Sequence, residues 1–267
     1  MRVARLFLLF VLFIVSSPRL NSQQSTTAPQ RDAQAVTVIQ NALAAMGGAN
    51  AIARVQNVIA QGSMLPAQGS AIPIGSFRME DQFGAQAHEF RDTFQSPALN
   101  QSIVSGHGNP GLLSNGHTKN FNPWSGNSRL PVHLPVMILS AFLASANCSI
   151  VSAGQTTING HAAIQIHFHI DTDVVQQTLS IQDWYFDSAT ALPLRVEYRI
   201  PDTSNPTIFI GAAADFSDFR PVQGVLFPYR VTAYQDDKAL AALTLTLVAV
   251  NQAISSSDFD LPPAVAQ

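Results

Sequence analysis

Seven histidines and one cysteine are the residues from which metal or nucleophile chemistry could be built. His167 and His169 stand two apart in the run Ile164-Gln165-Ile166-His167-Phe168-His169-Ile170. In a strand, both project from one face about 7 Å apart. With His161 or Asp171 as a further ligand they would make a zinc-type donor set. That spacing brings no third ligand to convergence, so they read as exposed strand histidines. His107, His117 and His133 lie in and after a Gly- and Asn-rich stretch and have no partner pattern. Cys148 follows a helix-like run without His or Asn partners in a readable order, and reads as a buried structural thiol. As the only cysteine, it excludes an intramolecular disulfide.

Other motifs are equally thin. Gly106-His107-Gly108-Asn109-Pro110-Gly111 fits G-x-G-x-x-G literally. Dinucleotide binding needs a helix to follow and an acidic residue about 20 positions on. Asn115-Gly116 interrupts instead, and no Asp or Glu occurs between Asp92 and Asp171. That acid-free third also removes its residues from any carboxylate-pair mechanism. Asp171 and Asp173 read as a solvated turn. No G-x-S-x-G elbow is present. The expectation is a non-enzymatic protein with no catalytic residue, no cofactor and no metal site.

The start of the chain addresses it for export. Arg2 and Arg5 precede an apolar run from Leu6 to Val15, then Ser16, Ser17 and Pro18. This is the layout of a secretory signal peptide over residues 1–22, too short for the ~20 apolar residues of a spanning helix. Residues 23–30 read as a flexible leader, and 31–267 as a single domain. Three of the 14 basic residues (Arg2, Arg5, Arg19) lie in the signal and all 17 acidic ones beyond it, so the processed chain carries a net charge of −6. No basic run exists to bind nucleic acid. The expected product is exported, periplasmic or extracellular, soluble and monomeric.

Asp32 can cap a helix in which Val36, Ile39, Leu43 and Met46 share a face, ended by Gly47-Gly48. Strands are expected over Val55–Met64, Ile74–Glu80, Ala85–Phe94 and Asn100–Ser105, several of them irregular. Gly106–Arg129 is expected as a long loop or a ragged hairpin around Leu112–Phe121. Pro135 opens an almost wholly apolar helix, Val136–Ala144, which must be buried on most sides. It is either a core helix or a lid over an apolar cavity. From Ile150 the alternation becomes regular: Ile164–Ile170, Leu179–Phe186, Leu194–Ile200, the hairpin Ala214–Tyr234, and Leu243/Leu245/Leu247 on one face. Strands joined by short turns, with no helices between, make an antiparallel meander.

Several short motifs occur in a telling order: Met46-Gly47-Gly48, Ile158-Asn159-Gly160, Trp184-Tyr185-Phe186-Asp187, Leu192-Pro193-Leu194-Arg195, Asp218-Phe219-Arg220-Pro221-Val222-Gln223-Gly224-Val225-Leu226-Phe227-Pro228 and Asp258-Phe259-Asp260-Leu261-Pro262. Their order over the mature chain resembles the periplasmic outer-membrane lipoprotein carrier (LolA-like) superfamily and its exported relatives. The resemblance implies an α+β fold: an unclosed, curved antiparallel half-barrel wrapped over the N-terminal amphipathic helix and the mid-chain apolar helix. It implies an apolar ligand or lipid in the concave face, lined by Val136, Leu139, Phe142, Ile166, Phe168, Val196, Tyr198, Phe227 and Tyr229. An exported lipoprotein or envelope protein would be the partner. The family's functional arginine lies in an early strand, where Arg54, Arg78 and Arg91 all fall and sequence does not choose among them. The alternatives are an exported interaction module whose helices fill the concave face and, third, a metal-dependent or hydrolytic enzyme. The Gly106–Arg129 insertion departs from the family's pattern.

Overall fold

The computed structural model describes residues 28–66, 71–84, 88–106, 109–121, 134–172, 177–178, 180–201 and 208–263. The expected signal peptide, most of the leader, His107, His133 and Asp173 lie outside them.

Asp32 starts the first helix, α1 (Ala33–Ala45), its Oδ1 accepting from the Gln34 amide at 2.8 Å. The spacing of Ala35, Ile39, Ala42, Leu43 and Met46 puts all five in the core. A short helix, α2 (Ala49–Ile52), follows at once. The third, α3 (Pro135–Ala144), begins on its proline as expected, and buries Val136, Ile138, Leu139 and Phe142.

Thirteen strands make one antiparallel sheet among the described residues. In chain order they are β1 (Asn57–Pro66), β2 (Gly75–Phe83), β3 (His88–Gln95), β4 (Asn100–Gly106), β5 (Asn109–Ser114), β6 (His117–Asn120), β7 (Cys148–Ile158), β8 (His161–Ile170), β9 (Gln182–Asp187), β10 (Pro193–Pro201), β11 (Phe209–Val222), β12 (Val225–Gln235) and β13 (Lys238–Val250). The spatial order is β6-β5-β4-β3-β2-β1-β13-β12-β11-β10-β9-β8-β7, two meanders joined where β1 pairs with β13. The sheet is not closed; β6 and β7 are its edges.

Local chemistry sets this register. Asn115-Gly116 and Asn159-Gly160 have positive φ at both turn positions, the two-residue connection that matches strand twist. Part of the Gly106–Arg129 insertion is therefore a hairpin, β5–β6, rather than a loop. The G-x-G-x-x-G match spans the end of β4 and the start of β5, with no helix after it. β9 starts later than expected because Ser180 turns the chain, its Oγ accepting from the Ile170 amide at 2.7 Å.

One expected face is divided. Leu243 and Leu245 point to the concave side, but a register shift between β1 and β13 at Gln61/Gly62 leaves Leu247 47% exposed and buries Val248 and Val250 instead. Gly62 permits that shift, since a Cβ there would lie 2.1 Å from the Thr244 carbonyl oxygen.

The core lies between the helices and the concave side of the sheet. Phe142 of α3 stacks on Phe168 of β8 at 5.1 Å, and Trp184 of β9 on Phe216 of β11 at 5.7 Å. α1 is fastened at its C-terminus, where the Met46 carbonyl accepts from the Leu226 amide at 2.9 Å. Gly47, at φ 129°, passes so close to the β11–β12 turn that a Cβ would sit 2.3 Å from the Gly224 carbonyl. The Arg31 guanidinium donates to the Ser145 and Leu143 carbonyls, 2.8 Å each, and so caps the end of α3.

Candidate functional site

The concave face is divided into two parts. Under the helices it is packed solid: Val136, Leu139, Phe142, Ile166, Phe168, Val196, Phe227 and Tyr229 are all buried members of one core. Beyond the helices it is open. A half-open apolar cavity of about 510 Å³ lies there, within the range of ligand pockets.

One wall comes from the early strands: Met64 of β1, Phe77 and Met79 of β2, Phe90, Asp92 and Phe94 of β3, then Leu99, Gln101 and Ile103 entering β4. The other comes from Tyr198 and Ile200 of β10, Ala214 of β11, Val231 and Ala233 of β12 and Leu243 of β13. β4 and β10 are seven strands apart in the sheet order. In a flat sheet that separation would be about 34 Å. Both line one cavity, so the sheet is strongly curved.

Of the nine residues expected to line a cavity, Tyr198 does so, and the other eight form the floor and plug beside it. The wall from β1 to β4 was missed. Its signal was present as Phe77/Met79 and Phe90/Phe94, but Asp92 and Gln101 occupy inward positions and break the apolar alternation. Neither carries a positive charge, and the lining residues include no basic side chain.

None of the three early arginines reaches the cavity. Arg54 is exposed. Arg78 pairs with Glu80 at 2.6 Å and borders a separate groove of about 490 Å³ on the convex side. Arg91 clamps the C-terminal 3-10 turn Ser256–Phe259, its guanidinium donating to the Asp258 and Asp260 carbonyls.

The histidines each take a different carboxylate. His161 meets Asp187 at 3.2 Å, His167 meets Asp183 at 3.0 Å and His169 meets Asp171 at 3.0 Å. No group of three or more metal-ligating side chains gathers among the described residues. The hydrogen bond that His167 donates to Asp183 raises the His167 pKa above its ordinary value. Burial pushes Asp183 upward, but hydrogen bonds from His167 and Gln165 outweigh it and hold the carboxyl below its usual range. Sequence reading passed over His88, whose Nε2 lies 3.0 Å from the fully buried Asp81 and whose ring stacks between Phe83 and Phe90. Cys148 is buried, and burial pushes its thiol up to about 11, which leaves it a poor nucleophile.

The convex face of β9–β12 carries a polar network. Arg195 bridges Glu197 and Asp215 at 2.8 Å each, with Tyr185 donating to Glu197 and Tyr234 to Asp215. It ties four neighbouring strands together on the side away from the cavity.

An unclosed curved antiparallel sheet wrapped over a few helices is a fold that solved structures share with this chain. The fold is LolA-like. A lipoprotein-sorting protein domain from Vibrio parahaemolyticus, described as a putative outer membrane one, superposes with a TM-score of 0.54 at 13% identity, over 84% of this chain and 95% of that one. A DUF1329 family protein from Desulfovibrio piger gives 0.54 and 13%, over 84% and 96%. A LolA superfamily protein from Nitrosomonas europaea gives 0.51 and 9%, over 85% and 97%. A scan with family models and a search of curated proteins find no match. At such identities the LolA-like likeness is one of fold.

Proposed function

We propose that this protein is an exported, non-enzymatic carrier that holds the acyl part of a lipid, or of a lipid-modified protein, in the concave cavity. The observation that carries the reading is the cavity itself. It has an aromatic and aliphatic lining, ligand-pocket volume and a position beside a helical plug that leaves it unfilled. Burial of acyl chains is non-directional, at ~0.8 kcal/mol per CH₂, so such a site needs no motif of polar residues. Two of the similar structures, a lipoprotein-sorting domain and a LolA superfamily protein, support the same class of cargo. The signal-like residues 1–22 support export and a place of action in the periplasm or outside the cell.

The competing reading, an interaction module whose helices fill the concave face, suits the plugged half and leaves the open half without a role. Mass spectrometry of organic extracts from protein purified without detergent separates the two. Acyl lipid should co-purify in near-stoichiometric amount. Protein that carries none, and takes up none when offered lipid, would retire the carrier reading.

A further inference from the structure

Beyond β13 the chain does not rejoin the main core: among the described residues, none after Val250 belongs to it. Asn251 and Gln252 are pinned to the segment that leads into β1. The Asn251 side chain accepts from the Gln56 amide and donates to the Arg54 carbonyl, 2.8 Å each, and the Asn57 side chain accepts from the Gln252 amide at 2.9 Å. From that root the chain reaches the 3-10 turn Ser256–Phe259, which packs on β3 and β4. Between Asn251 and Pro263 one side chain is buried, that of Phe259.

The seat for this tail is the back of the cavity wall. Phe90 and Asp92 line the cavity, so Arg91 between them faces the convex side. Gln101 and Ile103 line it too, so Val104 and Gly106 face the convex side as well. Register sets Arg91 opposite Val104 and Val104 opposite Gly111, a row that crosses β3, β4 and β5. The tail lies over that row. The Arg91 guanidinium donates to the Asp258 and Asp260 carbonyls, which flank Phe259. Val104 is fully buried although it points away from the helices. A Cβ on Gly106 would lie 2.4 Å from the Phe259 carbonyl oxygen, and one on Gly111 would lie 2.2 Å from Leu261 Cδ2. These are the first and last glycines of the G-x-G-x-x-G match, and their missing side chains make room for a segment of the same chain.

We propose that Ser255–Leu261 is a latch on the cavity wall: seated, it holds β3–β5 as one rigid unit against a ligand, and unseated, it lets that wall move and the ligand leave. The helices make their main sheet contacts on β7 and β12, so the element that backs β3 and β4, ladder neighbours aside, is the 3-10 turn. The front of those strands faces the cavity. A single buried ring and two bonded carbonyls fasten the latch, whereas the strands stay paired through their own ladders. Such a segment opens locally, at a free energy below that of unfolding the sheet. A carrier must hold its ligand and also give it up, and the unseated state supplies the second condition without loss of the fold. The consequence for a ligand rests on the carrier reading; the unseating itself does not.

Three variants of the full chain unseat the latch by different means. Gly106→Ala does so through the clash with Phe259, Arg91→Ala through loss of the clamp and Phe259→Ser through loss of the anchor. None of the three residues lines the cavity. Amide hydrogen exchange of the ligand-free proteins reads the wall. Release of a fluorescent lysophosphatidylcholine from loaded protein into excess acceptor vesicles reads the cavity. Each variant should speed exchange of the β3–β5 amides by about tenfold or more and leave β8–β11 at wild-type rates. Each should also speed probe release by about tenfold or more, the equivalent of lost contact with about two methylenes. Wall amides that exchange at wild-type rates, or exchange that quickens equally throughout the sheet, would overturn the latch. So would unchanged release from variants whose wall has loosened. If wild type takes up no probe while the wall still opens in the three variants, the carrier reading fails and the latch on the wall stands.

Discussion

Ligand chain length is the sharpest lever on the cavity. Each methylene moved from water into an apolar site is worth ~0.8 kcal/mol, or about fourfold in Kd. Four methylenes should therefore tighten binding by about 200-fold. The gain must end when the cavity is full. Taking ~30 Å³ for each water-sized group, about 510 Å³ holds at most about seventeen of them. A lysophosphatidylcholine series measured by calorimetry below the aggregation threshold should show the steep rise and then a plateau. Ala233→Trp adds to this test, because Ala233 lines the cavity and is not part of the packed plug. An indole buries ~150–250 Å², so it should bring the plateau to shorter chains. It should weaken the longest ligands by about tenfold or more, with short ones little changed. A Kd that ignores chain length, or a plateau unmoved by Ala233→Trp, would refute the assignment of this cavity as the acyl site.

Three further predictions concern the scaffold. Phe142→Ala should cost ~3–5 kcal/mol in urea unfolding, because it removes the ring stacked on Phe168 from a site with no room to collapse. Gly47→Ala should cost more than about 1 kcal/mol in the same assay, since it meets both a positive φ and the Gly224 carbonyl. The His167–Asp183 pair makes stability depend on pH at both ends. Because the His167 pKa is raised, its contribution is complete below the unfolded value of 6.5 and disappears as pH rises through the folded one. Because that of Asp183 is lowered, its contribution holds above 3.8 and disappears as pH falls through its folded value. The pair is partly exposed, so the effect stays under about 1 kcal/mol. An NMR titration should place the His167 midpoint above 6.5 and lower it in Asp183→Asn; an unchanged midpoint would mean that Asp183 is not the cause.

The late half of the sheet was legible because each strand there presents one apolar face, and period-two alternation reports burial directly. Ile166/Phe168 and Val196/Tyr198 lie inward as their spacing implies. Two physical effects hid the rest. A bulge opposite Gly62 exchanges the faces of β13 between Leu245 and Val248, which no composition rule announces. The open cavity also reverses the usual signal. A wall packed against protein only in part tolerates Asp92 and Gln101 among Phe90, Phe94 and Ile103, so the strands that line the cavity look irregular while those beneath the plug look ideal. The residues chosen from alternation were therefore mostly the filled half of the concave face.

That division makes the cavity a consequence of how the helices are held. α1 cannot advance along the trough, because Met46 is bonded to Leu226 and Gly47 is lodged against Gly224. α3 is retained at one end by the Arg31 cap and along its length by Leu139 and Phe142 in the core. Sliding α3 into the open half would expose Phe142 and vacate its site over Phe168. Opening such a hole costs ~3–5 kcal/mol. The volume available to a ligand is thus set by packing at residues that never touch it, and Leu139 and Phe142 act on the cavity by staying out of it.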